Sequence, residues 1–362
     1  MTTRNLITGG AGFIGANLAE RLLAAGEHVL VLDNLSRPNV QRNAAWLRER
    51  FGARCQVRLG DVRDDAAVRD AVSDVEYVFH FAAQVAVTTS LVDPSTDFEV
   101  NAGGTLRVLE AVRSLPDPPA VFFTSTNKVY GALDWLGLTR ERSGYAPGPS
   151  QVREHGVSEG APLDFHSPYG CSKGAADQYV QDYARSYGLR AVVFRMSCIY
   201  GPRQFGTEDQ GWVAHLLLRA LRNEPLTIYG DGYQVRDLLF VSDLVDALLV
   251  ARGRVDVCSG HAFNLGGGPD NAVSVLDVTN WISAIARRAP RLAFEQWRRG
   301  DQRYYVSDTR KFGELTGWRP SVPVSEGLPR LAHWLREGPA AHRDARDTEL
   351  ASAAANTERA AP

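Results

Sequence analysis

What the chain lacks narrows its possibilities first. It has no excess of either charge: 40 Lys and Arg stand against 42 Asp and Glu, a formal net charge of −2 over 362 residues. Nucleic-acid binding draws on a basic field, so nucleic acid is not an expected partner. No apolar run approaches the ~20 residues a helix needs to span a bilayer, and no membrane partner is expected either. The first strand-like segment starts within a few residues of Met1, which leaves no room for a signal peptide. Cysteine is scarce. Cys55, Cys171, Cys198 and Cys258 are scattered without ligand spacing, so no metal site is expected. Reduced thiols and a cytoplasmic location are the simplest account, with Cys171 a small residue packed in a helix. Apolar material, by contrast, is ample: 44% of residues are hydrophobic, enough for one large domain and an attached lobe.

The clearest local pattern opens the chain. Leu6-Ile-Thr-Gly-Gly-Ala-Gly-Phe-Ile-Gly15 runs from an apolar strand into a glycine turn, then into a helically spaced segment. A second apolar strand, His28–Leu32, ends at Asp33. Strand, glycine turn, helix, strand and acid form the context of a dinucleotide fingerprint. Gly9, Gly12 and Gly15 let the backbone approach a pyrophosphate at the helix N-terminus, and Asp33 binds the ribose diol. An acid at this point repels a 2′-phosphate and favours NAD, with Arg37 nearby as the one contrary residue.

Strands and helices then alternate: Gln56–Leu59 ending at Asp61, Tyr77–Phe81, Ala120–Ser125 and Arg190–Arg195 read as strands, with helical periodicity over Val100–Val112 and Ala175–Tyr187. The expected fold is α/β, a Rossmann doubly wound parallel sheet with a smaller C-terminal substrate-binding lobe. Residues 1–195 form the NAD-binding domain, with 236–266 returning to it. Residues 196–235 and 267–337 form the lobe, and 338–362, lacking an apolar stripe, read as a disordered tail. Asp33, Asp61, Gln84 and Thr126 all follow strands, on the edge where such sheets bind ligands.

A second motif gives the fingerprint its chemistry. In Ser167-Pro-Tyr-Gly-Cys-Ser-Lys173, Tyr169 and Lys173 stand at i and i+4 on one helix face. A nearby ammonium is expected to lower the phenol's pKa and make it an acid–base group for a sugar hydroxyl. Thr126, in Thr124-Ser-Thr-Asn-Lys-Val-Tyr-Gly131, is placed to hydrogen-bond the same oxygen.

The glycine turn, Thr126, Tyr169 and Lys173 together resemble the extended short-chain dehydrogenase/reductases, in the branch of nucleotide-sugar epimerases and dehydratases. Dehydratases of that branch carry Asp-Glu after the threonine, and decarboxylating relatives a Glu. This chain has Asn127-Lys128, which serves neither elimination, whereas epimerisation needs no acid there. Thr126–Gly131, Leu163–Tyr179, Thr207–Val213 and Gln84–Ser90 are similar to the CDP-paratose 2-epimerases, also called CDP-tyvelose epimerases.

The resemblance implies inversion at C2 of a sugar on a cytidine diphosphate through a 2-keto intermediate, with NAD held tightly. Tyr169 acts as base and acid, Lys173 assists it, and Thr126 orients the oxygen. The NAD-contacting set it implies is Gly9, Gly12, Phe13, Ile14, Gly15, Asp33, Asn34, Ser36, Arg37, Asp61, Val62, Ala82, Gln84, Asn101, Tyr169 and Lys173. Substrate contacts fall to Gln84, Thr126, Asn127, Lys128, Gln204 and Gln210, with Arg236 and Arg298 gripping the diphosphate. Trp212 lines the sugar pocket or belongs to the core. Arg303 stays undecided, and Lys128 contacts ligand or joins an ion pair. His80 reads as packed and His166 as a loop contact. The long segment Ala132–His166 reads as a flap over the sugar. A homodimer is implied through helices beside the catalytic one. CDP, GDP, UDP or dTDP sugars, and a C4-epimerase or oxidoreductase activity, stay open alternatives.

Overall fold

Seven apolar strands, each too short to hide its own surface, share one parallel sheet. In the computed structural model, which describes residues 4–337, the strands lie in the order Ala262–Leu265, Ala191–Met196, Ala120–Thr126, Tyr77–His80, Arg4–Thr8, His28–Asp33, Cys55–Leu59. Every pairing is parallel. Successive strand residues point to opposite faces. Ile7, Phe79, Phe122, Phe194 and Phe263 therefore join one buried cluster, while Leu6, Val78, Val121, Phe123 and Val193 join the other. A sheet covered on both sides reads as continuous apolar runs, which is why these strands show little alternation. The order reverses between Arg4–Thr8 and Tyr77–His80, so a crevice opens there at the carboxyl ends.

The lobe has its own sheet. Val235–Phe240 pairs with Ala272–Ser274, Tyr304–Tyr305 and Cys198–Tyr200, over a separate core that includes Leu217, Ile228, Leu238, Ile282 and Leu328. This differs from the sequence expectation, which returned 236–266 as a block to the large sheet. Ala262–Leu265 does add an edge strand there, and the helix Val241–Gly253 packs on that domain through Leu244, Val245 and Leu248. The strand before the helix stays in the lobe, because an apolar strand pattern does not state which sheet will pair with it. The expectation for 338–362 lies outside the described residues.

The segment Ala132–His166 is also not a flap. Leu133, Leu136, Val152 and Val157 pack against Tyr304, Tyr305 and Val306 beneath the small sheet. No residue between 132 and 166 lines the main cleft.

Candidate active site

A cleft of about 830 Å³ runs along the carboxyl ends of the large sheet and under the lobe. Its floor is the glycine turn. Gly9 has φ +67°, and a Cβ there would lie 2.7 Å from the Ala82 backbone nitrogen, so only glycine lets this turn close against the fourth strand. Gly12 caps the helix Phe13–Ala24 without any side-chain hydrogen bond to the first turn. The amide hydrogens of that turn therefore face the cleft with the positive end of the helix behind them, an anion site built from backbone alone. Asp33 closes the turn: its carboxylate accepts from the Ala11 and Leu35 amides at 3.0 and 2.8 Å. Burial pushes Asp33 up, offset by those amides and by the Arg37 charge.

Asp61 sits at the far end of this wall, gripped by Arg63 at 2.9–3.0 Å and by Asn34 at 2.9 Å. The Arg63 hydrogen bonds hold its carboxyl well below the usual range. Phe13, Ile14, Gly15, Ser36, Arg37, Val62 and Ala82 line the same stretch. The buried oxygens of Ser125, Thr88, Gln204 and Gln234 also belong to residues lining the cleft and find no hydrogen-bond partner among the described residues. Buried polar atoms are normally paired, so these donors and acceptors fit a polar ligand. The cleft thus suits a dinucleotide along the glycine wall and a second polar molecule beyond it.

Between the two walls stand Thr126, Tyr169 and Lys173. Thr126 is the last residue of its strand, and Tyr169 and Lys173 share one face of the helix Ser167–Tyr187. All three are buried. The Thr126 hydroxyl accepts from the Lys128 amide at 3.2 Å and favours the ionised phenol. Burial outweighs the lowering expected for this phenol. Burial pushes Tyr169 up to about 12, with Thr126 and Arg37 pulling down and Asp97 pushing up. The lysine bears its own desolvation: its Nζ lies 4.1 Å over the Phe123 ring, and burial takes it down to about 7 against the pull of Asp177 and Asp97. Sequence spacing fixes which residues share a face, whereas desolvation depends on what covers that face.

The facing wall is made of side chains. Arg236, buried, donates to Asp301 at 2.8 Å and to the Val235 carbonyl at 2.8 Å. Arg298 lies 3.7 Å over the Tyr229 ring, donates to the Glu208 carbonyl at 2.9 Å and pairs with Glu208 and Asp209. Lys128 donates to the Gly300 carbonyl at 2.9 Å and lies 3.7 Å from Asp301, so it joins an ion-pair group that also faces the cleft. Asn127, Gln204 and Gln210 line this part. Trp212 does both jobs considered for it, packing on the lobe core and lining the cleft, with its indole N–H 3.5 Å from the Cys198 sulfur.

Some candidates are placed elsewhere. Asn101 does not line the cleft; it accepts from the Gln84 amide at 2.9 Å and donates to Asp97 and Ser172. Gln84 lines the cleft, but its side-chain amide is spent on Asp97 and Ala86. His80 is packed between the Thr8 and Thr105 hydroxyls at 2.7 and 3.0 Å, and burial pushes it down to about 3. His166 pairs with Asp164 and Arg303 lies over Tyr145 and Trp297; neither lines the cleft. Cys171 is exposed rather than packed. Sequence reasoning missed Arg63, Thr88, Met196, Cys198, Gln234 and Asp301, all of which line the cleft. Only Arg63, two residues after a flagged acid, carried a local signal.

Fold and site together define a dinucleotide-dependent enzyme with a buried tyrosine and lysine on one helix face and a second cleft wall built of side chains. The family model "NAD dependent epimerase/dehydratase family" matches residues 5–266, and the chain belongs to that family. It is 40% identical over 336 residues to CDP-paratose 2-epimerase of Salmonella typhi, covering 91% of this chain and 98% of that protein. Among solved structures it is similar to UDP-glucose 4-epimerase of Thermotoga maritima with UDP-glucose (TM-score 0.79, 30% identity, 92% of this chain and 99% of that one). It is likewise similar to UDP-glucose 4-epimerase of Thermus thermophilus in complex with NAD (TM-score 0.77, 32% identity, 92% and 99%). No helix among the described residues is long and apolar enough to cross a membrane.

Proposed function

We propose that this protein inverts C2 of a nucleotide-linked hexose, of the CDP-paratose/CDP-tyvelose type, with NAD as resident cofactor. One observation carries the choice of epimerisation over elimination: each of the five carboxylates lining the cleft is already engaged. Asp33 is held by backbone amides, Asp61 by Arg63, Glu208 and Asp209 by Arg298, and Asp301 by Arg236. No acid stands free beside Thr126 to expel a hydroxyl, and Asn127 and Lys128 occupy the positions that follow it. Tyr169 is left as the group that moves a proton.

Glycine turn, helix N-terminus, Asp33 and Asp61 would hold NAD. When bound, it supplies a reversible hydride store for the sugar carbon. Tyr169 takes the hydroxyl proton as C2 becomes a ketone and returns it after the sugar has turned its other face. Thr126 holds the oxygen in line. Lys173, as an ammonium, favours the phenolate form. Arg236 and Arg298 anchor the diphosphate while the sugar turns, exchanging carboxylate partners for phosphate oxygens, while Asp301 keeps Lys128 as its partner at 3.7 Å. The 40% identity to the Salmonella typhi enzyme favours C2 and a CDP sugar. The likeness to UDP-glucose 4-epimerases supports inversion at C4 as the second reading.

A homodimer fits the exposed apolar side chains Leu91, Val92, Phe98, Tyr179 and Tyr187 on and beside the catalytic helix. The free cysteines fit a reducing, cytoplasmic setting. Incubating the purified protein with CDP-paratose deuterated at C2 tests the reading. Inversion at C2 with the label retained supports it; inversion at C4, or net oxidation with label loss, overturns it.

A further inference from the structure

Asp97 is a fully buried carboxylate that no cation among the described residues touches. It lies on the short helix Pro94–Phe98, behind the cleft wall, and accepts hydrogen bonds from Ser172 Oγ, Gln84 Nε2 at 3.0 Å and Asn101 Nδ2 at 3.2 Å. Three neutral donors satisfy its oxygens, yet asparagine or glutamine could knit the same loop and helix together without the cost of burying a charge. The charge itself needs a reason. Its neighbour supplies one. Ser172 precedes Lys173, and Lys173 is buried over an aromatic ring with no carboxylate in hydrogen-bonding contact.

Two carboxylates act on that ammonium, Asp177 and Asp97. Asp177 is the larger influence, but its charge is shared with Arg195, which holds it in a fork at 2.9 Å through both oxygens. Asp97 has no such partner. We propose that Asp97 is the positioning residue of the catalytic pair, its uncompensated carboxylate keeping Lys173 an ammonium ion in a site that would otherwise strip its proton. The other charged groups facing the pair fit this division. His80, on the strand Tyr77–His80, is neutral through burial and adds no competing cation. Arg37, across the cleft, acts on Tyr169 and Asp33 rather than on Lys173.

The inference rests on Tyr169 and Lys173 as the acting pair, and lysine scarcity makes it directly measurable. The chain has three lysines, Lys128, Lys173 and Lys311. With lysine labelled at Cε with ¹³C, NMR of the NAD-loaded protein resolves each, and K128R and K311R assign the signals. In D97N the Lys173 titration midpoint moves to lower pH. Because the Asp97 charge also holds the Tyr169 phenol up, both limbs of the pH profile of kcat for CDP-paratose move to lower pH. S172A keeps the charge and removes one donor, so its midpoint and profile stay at the wild-type position. Should D97N fail to fold, D97E against D97Q makes the same comparison with one shape, the midpoint lower in D97Q. A Lys173 midpoint equal in wild type and D97N, or profiles of D97N and S172A that fall in height alike without moving, overturns the proposal. Full turnover by Y169F would instead sink the functional reading, while the lysine titration still decides the role of Asp97.

Discussion

The two walls of the cleft use different materials. The wall on the large sheet presents mainly backbone: a left-handed Gly9, uncapped amides at the start of Phe13–Ala24, and an Asp33 whose own oxygens are taken by backbone amides. The facing wall presents side chains from segments far apart in the chain, Lys128, Gln204, Arg236 and Arg298, and its cations are met by carboxylates. A backbone-built site is rigid and suits a ligand that stays. A wall of paired charges can trade internal partners for a ligand's phosphates and trade back on release, which suits a ligand that comes and goes.

That contrast can be broken at several points. The largest effect is expected at the seam, where Y169F removes the proposed proton-transfer group and should lower kcat by about 10³-fold. Mass spectrometry of the purified variant should still find NAD, and loss of the cofactor would mean that the phenol belongs to the backbone wall. Next comes the facing wall. R236M removes charge-assisted hydrogen bonds of about 1.5–3 kcal/mol, so KM for the nucleotide sugar should rise roughly 10- to 100-fold with NAD content unchanged. A rise in kcat/KM, or loss of NAD, would erase the distinction between the walls.

On the backbone wall, G9A forces a side chain into left-handed backbone against Ala82 and should cost about 1–3 kcal/mol. The expected signature is a lower Tm and depleted NAD, with KM for the sugar little changed in the molecules that retain cofactor. The smallest effect belongs to the rim. Replacing Glu208 and Asp209 by Gln and Asn frees Arg298 from partners that are half exposed. Affinity for CDP, measured by calorimetry, should improve by no more than about fivefold, the scale of exposed ion pairs. Weaker CDP binding would mean the carboxylates shape the site rather than compete for it.

The same division explains what could be read without coordinates. Gly9 to Gly15, Asp33 and Tyr169/Lys173 lie in short contiguous runs, because a turn, a helix N-terminus and an i,i+4 face are local structures. Arg236 and Arg298 were visible only through resemblance; nothing local distinguishes a cleft arginine from a solvated one. The expected return of 236–266 to the large domain holds for Ala262–Leu265 but not for the strand Val235–Phe240, whose apolar run fits either core. Ala132–His166 was taken for a flap because its length and polar composition conceal the few apolar residues that bury it. Asp97 gave no signal at all: an acid in Pro-Ser-Thr-Asp-Phe looks like a solvated helix start until Ser172, Asn101 and Gln84 close over it.

The linear order of residues determined the strand–turn–helix cradle, the parallel α/β architecture and the pairing of a phenol with an ammonium on one helical face, all set by distances of a few residues along the chain. Folding alone decided how deeply that pair is buried, which carboxylates were spoken for, and which distant arginines meet in the cleft. These depend on desolvation and on contacts between segments up to 170 or so residues apart, and such contacts exist only after the walls have closed.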